Sequence, residues 1–220
     1  MSKVIKFGED VIGYEIPVLN EREIRAAAGI FFVFAFVSVL LAILSKNFIV
    51  LKYFILAFLV DFIIRVFINP RFSPSLIIGR LIVRRQVPEY VGAAQKKFAW
   101  VIGLILVLIM LVLVVFVNSY SPITGLICLI CLIFLLFESA FGICLGCLFY
   151  GWYYGKKARY CPGEVCEVNA RHEIQKTSWM QLLIVFGFIL FIVLSVYFFN
   201  NTFKEAPRNL FEIIGSSSSK

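Results

Sequence analysis

The chain has 220 residues, 61% of them hydrophobic, with a mean hydropathy of +0.95 and a formal net charge of +8. Soluble domains run near 45–50% apolar, so this composition excludes an ordinary water-soluble domain and points to a bilayer. The positive balance does not put nucleic acid first, because bases crowded beside apolar spans record membrane orientation and contact with anionic lipid.

Residues 1–25 form a mixed N-terminal arm. In "NEREIRAAAG", Asn20 can cap a helix and Glu23, three residues later, completes a box-like pattern. Five spans follow, and each must be helical because lipid offers backbone groups no partner. The first is 26–44, "AAAGIFFVFAFVSVLLAIL". Its length, and a leader with acids as well as bases, argue against a signal peptide. The short link Ser45–Lys46–Asn47 makes an antiparallel hairpin with the second span, 48–68. The loop 69–97 contains "NPRFSPSLIIGRLIVRRQVPEY". Ser73 is placed to cap and Pro74 to open a short helix. Apolar residues interleaved with Arg80, Arg84 and Arg85 make that helix amphipathic, lying on the inner leaflet. The third span is 98–117, and "NSYSP" leads into the fourth, 123–150. Residues 26–155 thus make a four-span core. A cysteine-containing loop, 156–178, precedes a fifth span, 179–199. The remainder, 200–220, reads as an external tail, with "GSSSSK" disordered.

The fold class is therefore all-α, a polytopic helical membrane protein with five spans. Lys and Arg fix its orientation. Four precede the first span, six lie in 69–97 and five in 151–178, all on one side; only Lys46, Lys204, Arg208 and Lys220 lie on the other. The N-terminus is then cytoplasmic and the C-terminus outside.

Three ionisable side chains fall deep within spans. Asp61 lies about 20 Å and Glu138 about 22 Å from the outer membrane face, at 1.5 Å per residue. Arg65 shares a helix face with Asp61, so one guanidinium can serve both acids. Each such residue costs about 3 kcal/mol to insert, which makes it a functional candidate. Two readings stand: an ion pair that fixes the packing of spans two and four, or a carboxyl kept protonated as a proton carrier. Lys52, near the outer end, can snorkel.

Cysteines supply the second constellation. Cys144 and Cys147 share a helix face near an aromatic belt, Tyr150, Trp152, Tyr153 and Tyr154, that marks the headgroup level. Gly142 and Gly146 form a small-xxx-small pair that admits a close neighbour. Cys161 and Cys166 flank the turn "CPGEVC" in the cytoplasmic loop, where thiols are kept reduced. Lys156, Lys157 and Arg159 would favour thiolates there. The spacing C-x2-C-x13-C-x4-C is near that of two-pair zinc sites. A dithiol relay, a zinc site and four independent cysteines all remain open. Cys128 and Cys131 lie about 24 Å from Cys144 by helical rise and read as small apolar residues. His172 reads as a solvated loop residue. No phosphate loop, nucleophile elbow or zinc-protease motif occurs.

The ordered motifs "NEREIRAAAG", "NPRFSPSLIIGRL", "VPEYVGAAQKKFAWVIGLIL" and "ESAFGICLGCLFY" resemble a family of bacterial integral membrane proteins catalogued as a domain of unknown function. The resemblance runs from about residue 15 to 155. It implies a four-helix unit in the bacterial inner membrane, with Asn69, Pro70, Arg71, Phe72, Pro74, Glu138, Gly142, Cys144, Gly146 and Cys147 as motif positions. It also implies a soluble rhodanese-like or thioredoxin-like partner, and hence thiol or sulfur chemistry. A transporter or channel for a sulfur species or soft metal ion is the second class of function, and a structural membrane subunit the third.

Overall fold

The computed structural model describes residues 7–11, 14–146, 178–204 and 207–209. In chain order these form strand β1 (Val18–Asn20), helices α1 (Glu21–Leu44), α2 (Ile49–Ile63) and α3 (Pro74–Val83), and strand β2 (Tyr90–Gly92). Helix α4 (Ala93–Met110), strand β3 (Ser119–Tyr120), helices α5 (Pro122–Leu136) and α6 (Trp179–Lys204), and strand β4 (Arg208–Asn209) complete the order. Three helices run on into π-helical turns: α2 through Ile64–Ile68, α4 through Leu111–Phe116 and α5 through Phe137–Phe141.

By length and composition, four helices suffice to cross a membrane: Glu21–Leu44, Ala93–Phe116, Pro122–Phe141 and Trp179–Lys204. They cover the expected first, third, fourth and fifth spans. The expected second span is helical from Ile49 to Ile68. It is not among the four, and it carries three charged side chains, Lys52, Asp61 and Arg65. The fourth span is shorter than expected. Its helix ends at Phe141, where Gly142 takes a left-handed conformation (φ +66°).

Local chemistry accounts for the helix starts. The Asn20 side chain accepts from the Arg22 amide at 3.2 Å and donates to Glu23 at 3.0 Å. Glu23 thus braces the cap through the Asn20 side chain rather than its backbone. Ser73 caps α3 ahead of Pro74 at the first turn, and Ser121 with Thr124 forms a full capping box on α5. The tight links place Lys46 and Asn118 at positive φ.

Helix α3 spans the amphipathic stretch of the loop 69–97. It packs along α1, burying Leu76, Ile77, Gly79, Arg80 and Val83. Gly79 makes this approach possible, since a Cβ there would stand 2.6 Å from the Glu23 carbonyl oxygen. The N-terminal arm is also tied down. Strands β1 and β2 pair antiparallel, with Val18 opposite Gly92 and Asn20 opposite Tyr90, and Glu9 bridges to Val18.

The core is aromatic where α1 meets α2: Phe31 packs edge-on to Phe58 at 4.8 Å, and Phe58 stacks on Phe62 at 4.1 Å. Outward faces stay apolar and exposed, as with Phe34 on α1 and Phe186 and Tyr197 on α6. In lipid such exposure carries no penalty. Helix α6 runs beside α2. Near its start, Gln181 donates to the Arg71 carbonyl at 3.0 Å; near its end, Phe203 packs on Tyr53 at 4.9 Å and under Lys52. Lys52 does not snorkel to the surface. It is buried and donates to Asn118 at 2.7 Å. Helix α6 continues to Lys204, and β4 pairs parallel with β3, so part of the expected tail is structured. "GSSSSK" lies outside the described residues.

Gly79→Ala should lower the thermal midpoint of the detergent-solubilised protein by the equivalent of about 1–3 kcal/mol, an overpacking cost. Gly125→Ala on α5, where a Cβ meets open space, should leave the midpoint unchanged or raise it. Equal effects of the two changes would show that the α1–α3 contact is not tight.

Candidate functional site

Three buried ionic groups gather where α1, α3, α4 and the end of α5 meet. The first surrounds Asp61, which is fully buried. Arg65, one turn on, donates from Nε to Asp61 Oδ2 at 2.6 Å. Ser73 Oγ donates to Oδ1 at 2.8 Å, the Ser75 amide to Oδ1 at 2.9 Å, and Ser75 Oγ to Oδ2 at 2.8 Å. Four donors saturate the carboxylate. The Arg65 guanidinium lies over Phe62, Trp100 and Phe31 at 4.8, 5.2 and 5.5 Å, an aromatic cage suited to a desolvated cation. This pair fastens α2 to the first turn of α3.

The second group centres on Lys96, the fully buried base in the first turn of α4. Its Nζ lies 2.8 Å from Glu21 Oε2 and also bonds Glu138 Oε1. The expected single guanidinium shared by Asp61 and Glu138 is therefore not the arrangement. Arg65 takes Asp61, and Lys96 takes Glu138 together with Glu21. In the third group, Arg80 of α3 reaches Glu23 at 3.1 Å, both side chains being buried. A fourth, half-exposed pair joins Arg22 to Glu89.

Sequence reasoning missed Glu21, Glu23, Arg80 and Lys96 as a set. The available signal was the pair of acids in the first turn of α1, which match in number two later bases, Arg80 in the last turn of α3 and Lys96 in the first turn of α4. On β2, burial, with Tyr14 beside it at 5.2 Å, raises the Tyr90 phenol above its ordinary value, so the hydroxyl keeps its proton.

Beyond Glu138 comes the helix break. The Ile143 amide closes the π turn onto the Phe137 carbonyl at 3.0 Å. A Cβ on Gly142 would stand 3.1 Å from the Arg25 guanidinium, and one on Gly146 only 2.4 Å from Ala99 Cβ. Both glycines are thus places of close approach. Cys144 lies between them, buried, and residues 145–146 resume a helix. Cys147, Cys161, Cys166, His172 and the aromatic belt lie outside the described residues. No group of three or more His, Cys, Asp or Glu suited to a metal occurs among the described residues. Cys128 and Cys131, half-buried on α5, face an apolar crevice. A neighbouring cavity of about 70 Å³ is lined by Cys131, Arg65 and Glu138 among others.

The described residues hold four helices able to cross a bilayer, three of which, α1, α4 and α5, are joined through Glu21, Lys96 and Glu138, and this defines a multi-pass integral membrane protein. Within that class, the chain belongs to the family described as Domain of unknown function (DUF4395), whose model matches residues 19–154. The match runs from β1 through the Cys144 break and leaves α6 outside. No curated protein and no solved structure matches the chain.

Lys96→Met should destabilise the protein strongly, by about 3–5 kcal/mol, because the buried Glu21 and the part-buried Glu138 lose their base. Adding Glu21→Gln and Glu138→Gln should restore much of the loss, read from thermal midpoints in detergent. A Lys96→Met protein as stable as the parent would remove Lys96 as the link among α1, α4 and α5.

Proposed function

We propose that the protein crosses the bacterial inner membrane five times and handles thiols or sulfur at the cytoplasmic face. The crossings are α1, α2 with its π turn, α4, α5 and α6, with the N-terminus cytoplasmic. End-to-end contact of α2 with α6 supports the five-span count. The links 45–48 and 118–121 and the β3–β4 pair gather at one end, and the arginine-rich elements at the other, which supports the orientation.

The observation that carries the thiol reading is the placement of Cys144. A left-handed glycine is a common way to end a helix, but a helix that merely ended at the headgroups would need no second glycine packed on Ala99. Here both are present, and they hold a buried thiol in a non-helical break beside the Glu21–Lys96–Glu138 group. Cys144 and Cys147 form the membrane-edge pair, and Cys161 and Cys166 the loop pair. As the first pair forms its S–S bond, it gives up two protons and two electrons. The disulfide of a thioredoxin-like partner, or of the loop pair, takes them up and becomes a dithiol. Asp61 and Arg65 brace the site. The transport reading draws less support, because Asp61 is enclosed by four donors.

Trapping of free thiols with an alkylating reagent in membranes tests the chemistry. Labelling of Cys144 and Cys147 should fall under oxidising conditions and recover with reductant, and Cys161→Ser should change its extent. Labelling indifferent to redox state and to that change would end the relay, and stoichiometric zinc in the purified protein would replace it with a metal site. For topology, a membrane-impermeant thiol reagent on intact cells should modify Lys46→Cys, whereas Arg85→Cys should react only after permeabilisation. The reverse pattern would invert the orientation.

A further inference from the structure

A cleft of about 320 Å³ opens between the start of α1 and the end of α3, lined by Arg22, Arg25, Ala26, Val83, Gln86, Glu89 and Ser139. Its volume falls in the range of ligand pockets, about 300–1,000 Å³. Two guanidiniums face one carboxylate, and the exposed Arg84 and Arg85 lie in the chain between the lining residues Val83 and Gln86. The Arg22 Nε is buried and has no hydrogen-bond partner among the described residues. Arg25 makes only a long bond, 3.5 Å, to the Ala140 carbonyl, so most of its donors are uncommitted there. Ser139 adds a hydroxyl on the third side.

The surroundings say what kind of anion fits. Within two residues of the lining residues in the chain stand Ile82, Val87 and Phe141, which are 61%, 53% and 62% exposed. Exposed apolar side chains beside an arginine cleft reproduce the boundary between acyl chains and headgroups, where cations meet lipid phosphate. A freely diffusing anion would need no such rim. Guanidinium forks match phosphate oxygens in geometry as well as charge. We infer that this cleft binds the headgroup phosphate of an anionic phospholipid, with Arg22 and Arg25 as donors, Arg84 and Arg85 as the outer field, and Ile82, Val87 and Phe141 against the acyl chains. The inference stands apart from the cysteines and does not need the thiol reading.

The test is native mass spectrometry of the detergent-purified full chain with added phosphatidylglycerol, phosphatidylcholine or inorganic phosphate. Phosphatidylglycerol should be retained in preference to phosphatidylcholine, and millimolar phosphate should not displace it. R25Q should weaken phosphatidylglycerol retention by at least about fivefold, the worth of one basic residue near an anionic surface. Because Arg25 also touches the Gly142 break, the exposed pair R84Q/R85Q provides an independent reading that leaves the packing untouched, with a loss in the same direction. Equal retention of the two lipids, or no effect from either variant, overturns the proposal. Displacement by phosphate alone overturns it in favour of a soluble anion.

Discussion

The ammonium of Lys96 sits between carboxylates from two other helices, and α1, α4 and the end of α5 meet where it does. Removing an ammonium and two carboxylates from water costs several kcal/mol per ion, which only close mutual contact offsets. In lipid, apolar surfaces give no net drive for helices to associate. Leu, Ile and Phe hold this chain in a bilayer, but they do not select which helix lies beside which. The selection falls to groups that cannot face lipid alone: Lys96 with Glu21 and Glu138, Arg80 with Glu23, and Arg65 with Asp61.

These pairs share one end of the molecule, and that concentration divides the fold in two. At the polar end, α3 is locked onto α1 by the Gly79 contact and by Arg80, while Asp61 gathers both serines of the "SPS" turn. Toward the other end the helices present Phe, Val and Leu outward, and α5 leaves a crevice rather than a seam. The Cys144 break belongs to the rigid end. It lies a few residues beyond Glu138 and is wedged by Arg25 of α1 and Ala99 of α4, so a change in the Lys96 group would be felt there through all three helices.

Much of the helical framework was legible in the sequence. Apolar runs placed the helices, Asn20 and Ser73 announced two caps, and the three-residue link forced a hairpin. What the pattern could not supply was partnership. Lys96 stands just before the apolar run that begins at Phe98, and by position alone it reads as a flank. Its acid is 75 residues earlier, and no periodicity connects them. Asp61 and Glu138 were visible as intramembrane acids, but helical rise gives depth and not azimuth, so assigning one arginine to both was reasonable and does not match the arrangement found. The end of the fourth span was misplaced for a local reason. "FESAFGICLGC" is apolar enough to continue a helix, and only the left-handed Gly142 stops it. Short β pairings involve two or three residues each and leave almost no compositional trace.

Chain synthesis runs from N to C, and this gives the ion pairs an order in time. Glu23 is made 57 residues before Arg80, and Glu21 is made 75 residues before Lys96. While α2 and α3 emerge, both acids are charges without their cations. Each stands in the first turn of α1 rather than in its apolar body, so water can solvate it during the wait. The bundle therefore closes late: α1 and α2 can enter as a hairpin, but α1 gains Arg80 only with the end of α3 and Lys96 only when the start of α4 has left the ribosome.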